Sequence, residues 1–521
     1  MESELKLLLD PTDVQALRRH SLVKAAALAE PKTLQLKSIY FDTSECLLRQ
    51  YDLGLRVRRG NRIWIQTLKA GNSMAVAGLH QRGEWECRVR GPKPDFARLR
   101  KLIGGTQWAT ILASPQLSDS LAPVFVVEVE RTTWQLQLPC GAHVELALDL
   151  GEIVREPMRE PICEIELELQ SGRPSALFDF ALELQKSIPL RIGRYSKAER
   201  GYRLCNPQTM AATRAKRIVL DRDISVENGF QSIVTSCVEQ IAANEDGVMH
   251  GADPESVHQL RVGLRRMRSA LQLFKHIAPL PRGLADDFAW LCRKVADARD
   301  WEVFALDTLP SLAIAALASS AVAQLLQIAV TMASEKRKVA AKAIASARYA
   351  RFTLTLAAWV ESGRWRERLK TPDRGRLSEP LIQQATKLLG RRHRKLLKCG
   401  RRMQGGTPRE RHRIRIAAKK LRYATEFLEA LLPTELGKAY VKGLSALQDA
   451  QGHDNDAAVA RVLLEELARK HPELVAAAKA LRQYLSSQSK ERRQTVHHAW
   501  ELFLASPPPF ARDRLASDRA A

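Results

Sequence analysis

The chain has 521 residues, 45% of them hydrophobic and 27% charged, an ordinary globular composition on a length that calls for two to four domains. Eight cysteines are scattered without a C-x-x-C pair, which excludes a disulfide framework or a zinc site and points to free thiols in a reducing compartment. The net charge of +24 is uneven: residues 1–205 hold 29 Lys+Arg against 25 Asp+Glu, and the rest of the chain holds 53 against 33. The C-terminal part therefore carries the excess, which favours a polyanion such as nucleic acid, an acidic membrane surface or polyphosphate.

The first stretch, ESELKLLL, alternates with a period of two. Glu2, Glu4 and Lys6 share one face, and Ser3, Leu5 and Leu7 the other, the pattern of a strand rather than of a basic and apolar leader. Further alternating runs follow as KTLQLKSIYFDT, LGLRVRRG, RIWIQTLKA, RGEWECRVRG, VFVVEVERTTWQLQLP, AHVELALDL and PICEIELELQSG. Short helices are predicted at Thr12–Arg19, Asp95–Ile103 and Pro174–Lys186. Consecutive strands in this number imply an antiparallel sheet curled or closed on itself.

The polar faces of these strands are unusual. Arg56 and Arg58, Lys69, then Glu84, Glu86 and Arg88, Glu128 and Glu130 with Arg131, Glu145 and Asp149, and finally Glu164, Glu166 and Glu168 make charged stripes of a few residues per strand. A solvated outer face would account for any one stripe. Together they fit a barrel with a polar lumen and an apolar exterior covered by helices. Carboxylates in such a lumen suit a hard divalent cation. Its Lys and Arg side chains suit phosphate oxygens. A metal-bound polyphosphate chain matches both, and no glycine-rich phosphate loop is present.

Beyond residue 205 the period changes. Residues 206–223 read as a linker and 224–505 as an all-helical domain, with 506–521 expected to be a disordered tail. The uncharged run Thr308–Ser334 is rich in Ala and Ser and contains Pro310, Gln324 and Gln327, so it is read as a buried bundle helix and not a membrane span. An internal repeat aligns VHQLRVGLRRMRSALQLF (257–274) with RHRIRIAAKKLRYATEFL (411–428). His258, Arg261, Arg265 and Arg268 recur as His412, Arg415, Lys419 and Arg422, at offsets that keep one helix face. An acidic element, VADARDWEV or LQDAQGHDNDAAV, follows each copy. Few aromatics are interleaved with the basic runs, which disfavours single-stranded nucleic acid as the partner.

The first region resembles the CYTH domain of the triphosphate tunnel metalloenzymes. The match lies in E-x-E-x-K (Glu2, Glu4, Lys6), YFDT, LRVRR, TLKA, EVERT, ALDLGEI, EIELEL and SKAERGY, over residues 1–205. The resemblance implies an eight-stranded antiparallel β tunnel with flanking helices (α+β). Its phosphate ligands would be Lys6, Arg56, Arg58, Lys69, Arg131 and Lys197. Its metal ligands would be Glu2, Glu4, Asp149, Glu164 and Glu166, with Mg2+ the expected ion and Mn2+ the alternative. Glu84, Glu86, Arg88, Glu130 and Glu168 are expected to line the tunnel too. Water activated near Glu2, Glu4 and Lys6 would attack a terminal phosphorus while the basic wall holds the leaving pyrophosphate.

The second region resembles the CHAD domain through HQLRVGLRRMR, ARDWEV, HRIRIAAKKLR and LQDAQGHDND, over about residues 220–505. That implies two pseudo-symmetric four-helix bundles binding inorganic polyphosphate, with His258, Arg261, Arg265, Arg268, His412, Arg415, Lys419 and Arg422 as the contacts. The combined expectation is a cytoplasmic inorganic triphosphatase that cleaves tripolyphosphate to pyrophosphate and phosphate, with a place at polyphosphate granules. Thiamine or nucleotide triphosphatase, class IV adenylyl cyclase and a non-catalytic polyphosphate scaffold are the alternatives. No membrane partner is expected, nucleic acid is not favoured, and no oligomeric state is assigned.

Overall fold

The computed structural model describes residues 2–74, 79–112, 117, 120–205, 211–316, 319–369, 374–401 and 406–510. Two compact units emerge, one of residues 1–209 with 346–363 and one of residues 210–345 with 364–521.

In the first unit, strands β1 (Glu2–Leu8), β2 (Lys32–Asp42), β3 (Leu53–Gly60), β4 (Ile63–Met74), β5 (Leu79–Val89), β6 (Ala122–Gln137), β7 (His143–Arg155) and β8 (Met158–Ser171) lie where alternation places them. They pair antiparallel in the order β5-β4-β3-β2-β6-β7-β8-β1, and β1 returns to pair with β5 from Glu2↔Arg82 to Leu5↔Leu79, so the sheet closes. A short β9 (Arg191–Ile192) adds to β1 beside Leu7 and Leu8. The β3–β4 hairpin turns on Asn61 and Arg62, at φ 46° and 66°, the left-handed pair that suits a two-residue hairpin loop. This turn sets the register that puts Gly54 opposite Lys69 and Arg56 opposite Thr67.

Closure sorts the two faces of each strand. Leu5 and Leu7 of β1 are wholly buried on the outside, and Leu53, Leu55, Val57 and Leu68 pack with Leu99 and Leu112 of the helices Phe96–Leu102 and Ala109–Leu112 and with Ile103, which ends the first of them. Each such leucine contributes about 1.5–3 kcal/mol by leaving water, which lets the inner face remain charged. The predicted helices appear as Val14–Arg18, Phe96–Leu102 and Ser175–Leu184. The helix Ala347–Ser362, expected with the helical domain, instead joins the first unit, packing on Ser175–Leu184 and β9.

In the second unit, the helices Val226–Ala243, Pro254–Leu273, Arg282–Val303 and Ser320–Ile344 are followed by Leu381–Gly400, Pro408–Leu428, Thr434–Lys470 and Ser489–Ala505. The two basic helices, Pro254–Leu273 and Pro408–Leu428, start alike, with a capping side chain (Asp253, Thr407) and a proline in the first turn. They pack on each other, with the Arg266 guanidinium 5.5 Å from the Phe427 ring centre.

The Thr308–Ser334 run is broken into Leu309–Ala316 and Ser320–Ile344, whose Leu309, Leu325 and Ala329 share a core with Leu464 and Leu481. Among the described residues no helix is long and apolar enough to cross a membrane. Two boundary expectations are corrected. The segment read as a linker is anchored: Asn244 Oδ1 accepts from the Thr213 amide at 2.9 Å, and Leu220 is buried. The tail is not free from residue 506: Phe510 is buried with its ring 5.7 Å from those of His393 and Tyr440, while residues 511–521 lie outside the described residues.

Candidate active site

The lumen of the closed sheet is a cavity of about 860 Å³. All six basic residues expected to bind phosphate line it: Lys6, Arg56, Arg58, Lys69, Arg131 and Lys197. The strand registers explain the grouping of charges. Lys6 on β1 sits opposite Glu166 on β8, Asp149 on β7 opposite Glu164 on β8, and Arg131 on β6 opposite Asp149. Lys6 hydrogen-bonds both Glu4 and Glu166. Arg131 donates from Nε to Asp149 Oδ1 (2.7 Å) and from Nη2 to Asp149 Oδ2 (2.6 Å) and Glu166 Oε2 (2.5 Å).

Lys197 arrives from outside the sheet. It begins the helix Lys197–Cys205, which is held at its start by Ser196 Oγ and backbone N, each donating to Glu199 Oε2 at 2.8 Å. The helix lies tight on the barrel at Gly201, where a Cβ would come within 2.2 Å of the Phe125 ring. Lys197 Nζ reaches Asp149 Oδ2 at 2.6 Å, Glu164 Oε1 at 2.5 Å and Glu166 Oε1 at 2.8 Å.

Asp149, Glu164 and Glu166 each offer an oxygen within 4.8 Å of the others. Three oxygens on one Mg2+ at about 2.1 Å span at most about 4.2 Å, so this donor set fits a hard divalent cation after a small closure. Burial works against ionisation here. Even so, Lys197, Lys6 and Arg131 hold the Glu166 carboxyl well below the usual range, and Lys197 and Arg131 lower that of Asp149.

The opposite wall has a different balance. Lys69 pairs with Glu84 at 2.8 Å, and Arg56 reaches Glu84 at 3.4 Å and Glu86 at 3.7 Å. Arg58 makes no hydrogen bond or ion pair with the described residues, and its Nε is buried without a partner. Burial and the like charges of Arg56 and Arg131 push Arg58 down to about 10. A half-buried guanidinium that lines a cavity and makes no ion pair among the described residues is a ready anion ligand.

On the basic helices the structure gathers part of the expected set. Arg261 Nη1 donates to Ala296 O and Asp300 Oδ1, both at 2.7 Å, and Arg415 Nη1 donates to Gln451 O at 2.5 Å, equivalent contacts in the two repeats. The charges of Arg261, Arg265 and Arg415 all act on Lys419, which with burial is pushed down to about 6. Arg265 feels Arg261, Arg422 and Arg299, and burial lowers His258 with help from Arg299.

Family models match residues 1–202 to the CYTH domain and residues 232–465 to the CHAD domain. The chain is a CYTH domain followed by a CHAD domain. A relative named inorganic triphosphatase, from Haemophilus influenzae, is 32% identical over 239 residues, 46% of this chain and 63% of its own length. The match thus leaves more than a third of that relative unspanned. The crystal structure of the CHAD domain from the plant Ricinus communis is 36% identical, covering 57% of this chain and 98% of its own, with a TM-score of 0.52.

Several expected residues sit elsewhere. In the CYTH domain Glu84, Glu86 and Glu168 line the cavity, but Glu130 does not: Arg18 and Gln35 hold it on the outside. Val127, Val129 and Arg131 face inward, and alternation forces Glu128 and Glu130 outward. Arg88 is exposed and does not line the cavity. Glu2 belongs to β1, but its side chain lies outside the described residues. In the CHAD domain His412 is exposed, and Arg268 is exposed and grouped with Lys420, whose pKa it lowers after burial, Arg392 and Lys395.

Other residues were legible only as parts of motifs. Asp42, in YFDT, is buried and accepts from the amides of Leu48 and Arg49 and from Tyr202 Oη at 2.7 Å, tying β2 to the helix that carries Lys197. Arg200, in SKAERGY, donates to Glu160 Oε1 at 2.6 Å and Glu164 Oε2 at 3.0 Å.

Proposed function

We propose that the CYTH domain hydrolyses inorganic tripolyphosphate to pyrophosphate and phosphate with the help of a divalent cation, and that the CHAD domain binds long-chain inorganic polyphosphate. The observation that carries the reading is the lumen itself: six basic side chains line it together with Asp149 and Glu166, and an oxygen of each of these two converges within 4.8 Å with one of the buried Glu164. The likeness to the Haemophilus influenzae inorganic triphosphatase supports the same substrate class.

Asp149, Glu164 and Glu166, with Glu4 beside them, would hold the cation, Mg2+ or Mn2+. Such a cation supplies charge neutralisation on the phosphate oxygens and acidifies a bound water. Arg58, Arg56 and Lys69 bind the end of the phosphate chain away from the carboxylates, and Lys6, Arg131 and Lys197 bind the end near them. This placement orients the chain along the lumen and stabilises charge on the departing pyrophosphate. No side-chain nucleophile is required. All eight cysteines are free thiols, in keeping with a reducing, cytoplasmic setting.

The test supplies purified protein and Mg2+ with tripolyphosphate, thiamine triphosphate or ATP and measures phosphate, pyrophosphate and cyclic AMP. Turnover of tripolyphosphate above the other two is expected. A preference for thiamine triphosphate or ATP, or cyclic AMP formation, would replace the substrate, and no turnover would leave a polyphosphate-binding scaffold.

A further inference from the structure

The Lys197 ammonium does more than line the lumen. Its three close partners, Asp149 Oδ2, Glu164 Oε1 and Glu166 Oε1, belong to the same three residues whose oxygens converge. The other oxygens of the trio are occupied from different directions. Arg131 takes Asp149 Oδ1 and Glu166 Oε2 and shares Asp149 Oδ2 with Lys197, Lys6 shares Glu166 Oε1 with it, and Arg200 takes Glu164 Oε2. Of these cations, Lys197 is the one that reaches an oxygen of all three residues. The Lys197 side chain is 11% exposed and those of Asp149 and Glu164 at most 1%, so solvent competes little for these oxygens.

We propose that Lys197 is a tethered counter-cation: its ammonium and a divalent cation compete for the same three carboxylate oxygens, and entry of the cation releases Lys197 to a phosphate oxygen of the substrate. The inference rests on the metal-dependent reading above. A charge of +1 on a flexible arm is exchanged for +2, while Arg131 and Arg200 keep the carboxylates aligned throughout. The helix backbone need not move. Gly201 against Phe125, the Arg200 bonds to Glu160 and Glu164, and Tyr202 on Asp42 fix it, and the four-carbon stem of Lys197 supplies the motion. Cation and triphosphate would then bind cooperatively, because the cation turns a carboxylate-bound ammonium into a phosphate ligand.

The test measures Mn2+ binding to the full chain by calorimetry and electron paramagnetic resonance, without phosphate. Lys197→Met, which removes the competitor, should bind Mn2+ about tenfold or more tighter than the parent. Lys197→Arg, which keeps a competing charge, should not. The melting temperature of Lys197→Met should also rise more on adding Mn2+ than that of the parent. On the unaltered chain, amine acylation read by mass spectrometry should show Lys197 modified faster when Mn2+ is added. Equal or weaker Mn2+ binding by Lys197→Met, or unchanged acylation of the parent, overturns the exchange while leaving the metal site standing. No Mn2+ binding by either protein overturns the metal-dependent reading as well.

Discussion

Arg131 grips Asp149 with two parallel hydrogen bonds, Nε to Oδ1 at 2.7 Å and Nη2 to Oδ2 at 2.6 Å, on a carboxylate with no solvent exposure. Removing the guanidinium strands a buried charge, which costs about 3–5 kcal/mol. Arg131→Ala should lower the urea midpoint accordingly, and Arg131→Lys, which keeps the charge without the fork, should fall between. Parental stability in the alanine variant would show that Lys197 alone satisfies Asp149.

Arg58 is the reverse case, a half-buried cation beside Arg56 and Arg131 without a polar partner among the described residues. Arg58→Met should hold or raise the melting temperature, because it removes repulsion and an unpaired charge. It should weaken tripolyphosphate binding by about 1.5–3 kcal/mol, tenfold or more in Kd. Loss of stability with unchanged affinity would contradict this.

Glu4 lies opposite Glu168 across the β1–β8 pair and accepts from Lys6. Glu4→Gln keeps the shape and an acceptor for Lys6 but removes a negative charge from the lumen. Circular dichroism and melting should change little, while turnover of tripolyphosphate should be lost. Unchanged rates would remove Glu4 from the proposed metal site.

Lys419 would give the proposed polyphosphate site a pH dependence. Burial, Arg415, Arg265 and Arg261 push its ammonium down to about 6, against a smaller opposing effect of Asp456. Above that pH the free protein holds it neutral, and a bound polyanion favours the charged form. Binding near neutral pH should therefore take up a proton, and affinity should fall as pH rises from 6. Calorimetry in buffers of different ionisation enthalpy measures the proton. Lys419→Met should flatten the profile.

Arg261 and Arg415 make matching contacts to main-chain carbonyls in the two repeats. The double change to alanine should weaken long-chain polyphosphate binding tenfold or more while tripolyphosphate hydrolysis continues. A loss confined to DNA binding would reassign the partner.

Local patterning made much of this legible. The E-x-E-x-K face, the R-x-R of β3 and the E-x-E of β8 follow from the two-residue period, and every basic residue expected in the lumen lines it. The mistake over Glu130 came from letting neighbours 130 and 131 share a stripe, which a pleated strand forbids. Arg268 and His412 satisfy the helical period, yet a face some 100° wide includes positions that neighbouring helices leave outside the cluster. The Ala347–Ser362 helix has the same helical period as its neighbours, so its grouping with the first unit was invisible to periodicity.

The sequence by itself determined which residues alternate, where the period changes from two to 3.6, and that opposite charges occur on the same inward faces. Those are local properties, set by the backbone geometry of strand and helix. Only the tertiary structure decided which charge meets which. Closure through β1 and β5, and the registers of β7 on β8 and β8 on β1, place Asp149, Glu164 and Glu166 around one point. A helix docked on Phe125 and Asp42 then delivers Lys197 to it. Contacts between residues so distant in the chain depend on strand register and helix docking, and a one-residue slip in the pairing of a strand would turn its charges to the other face.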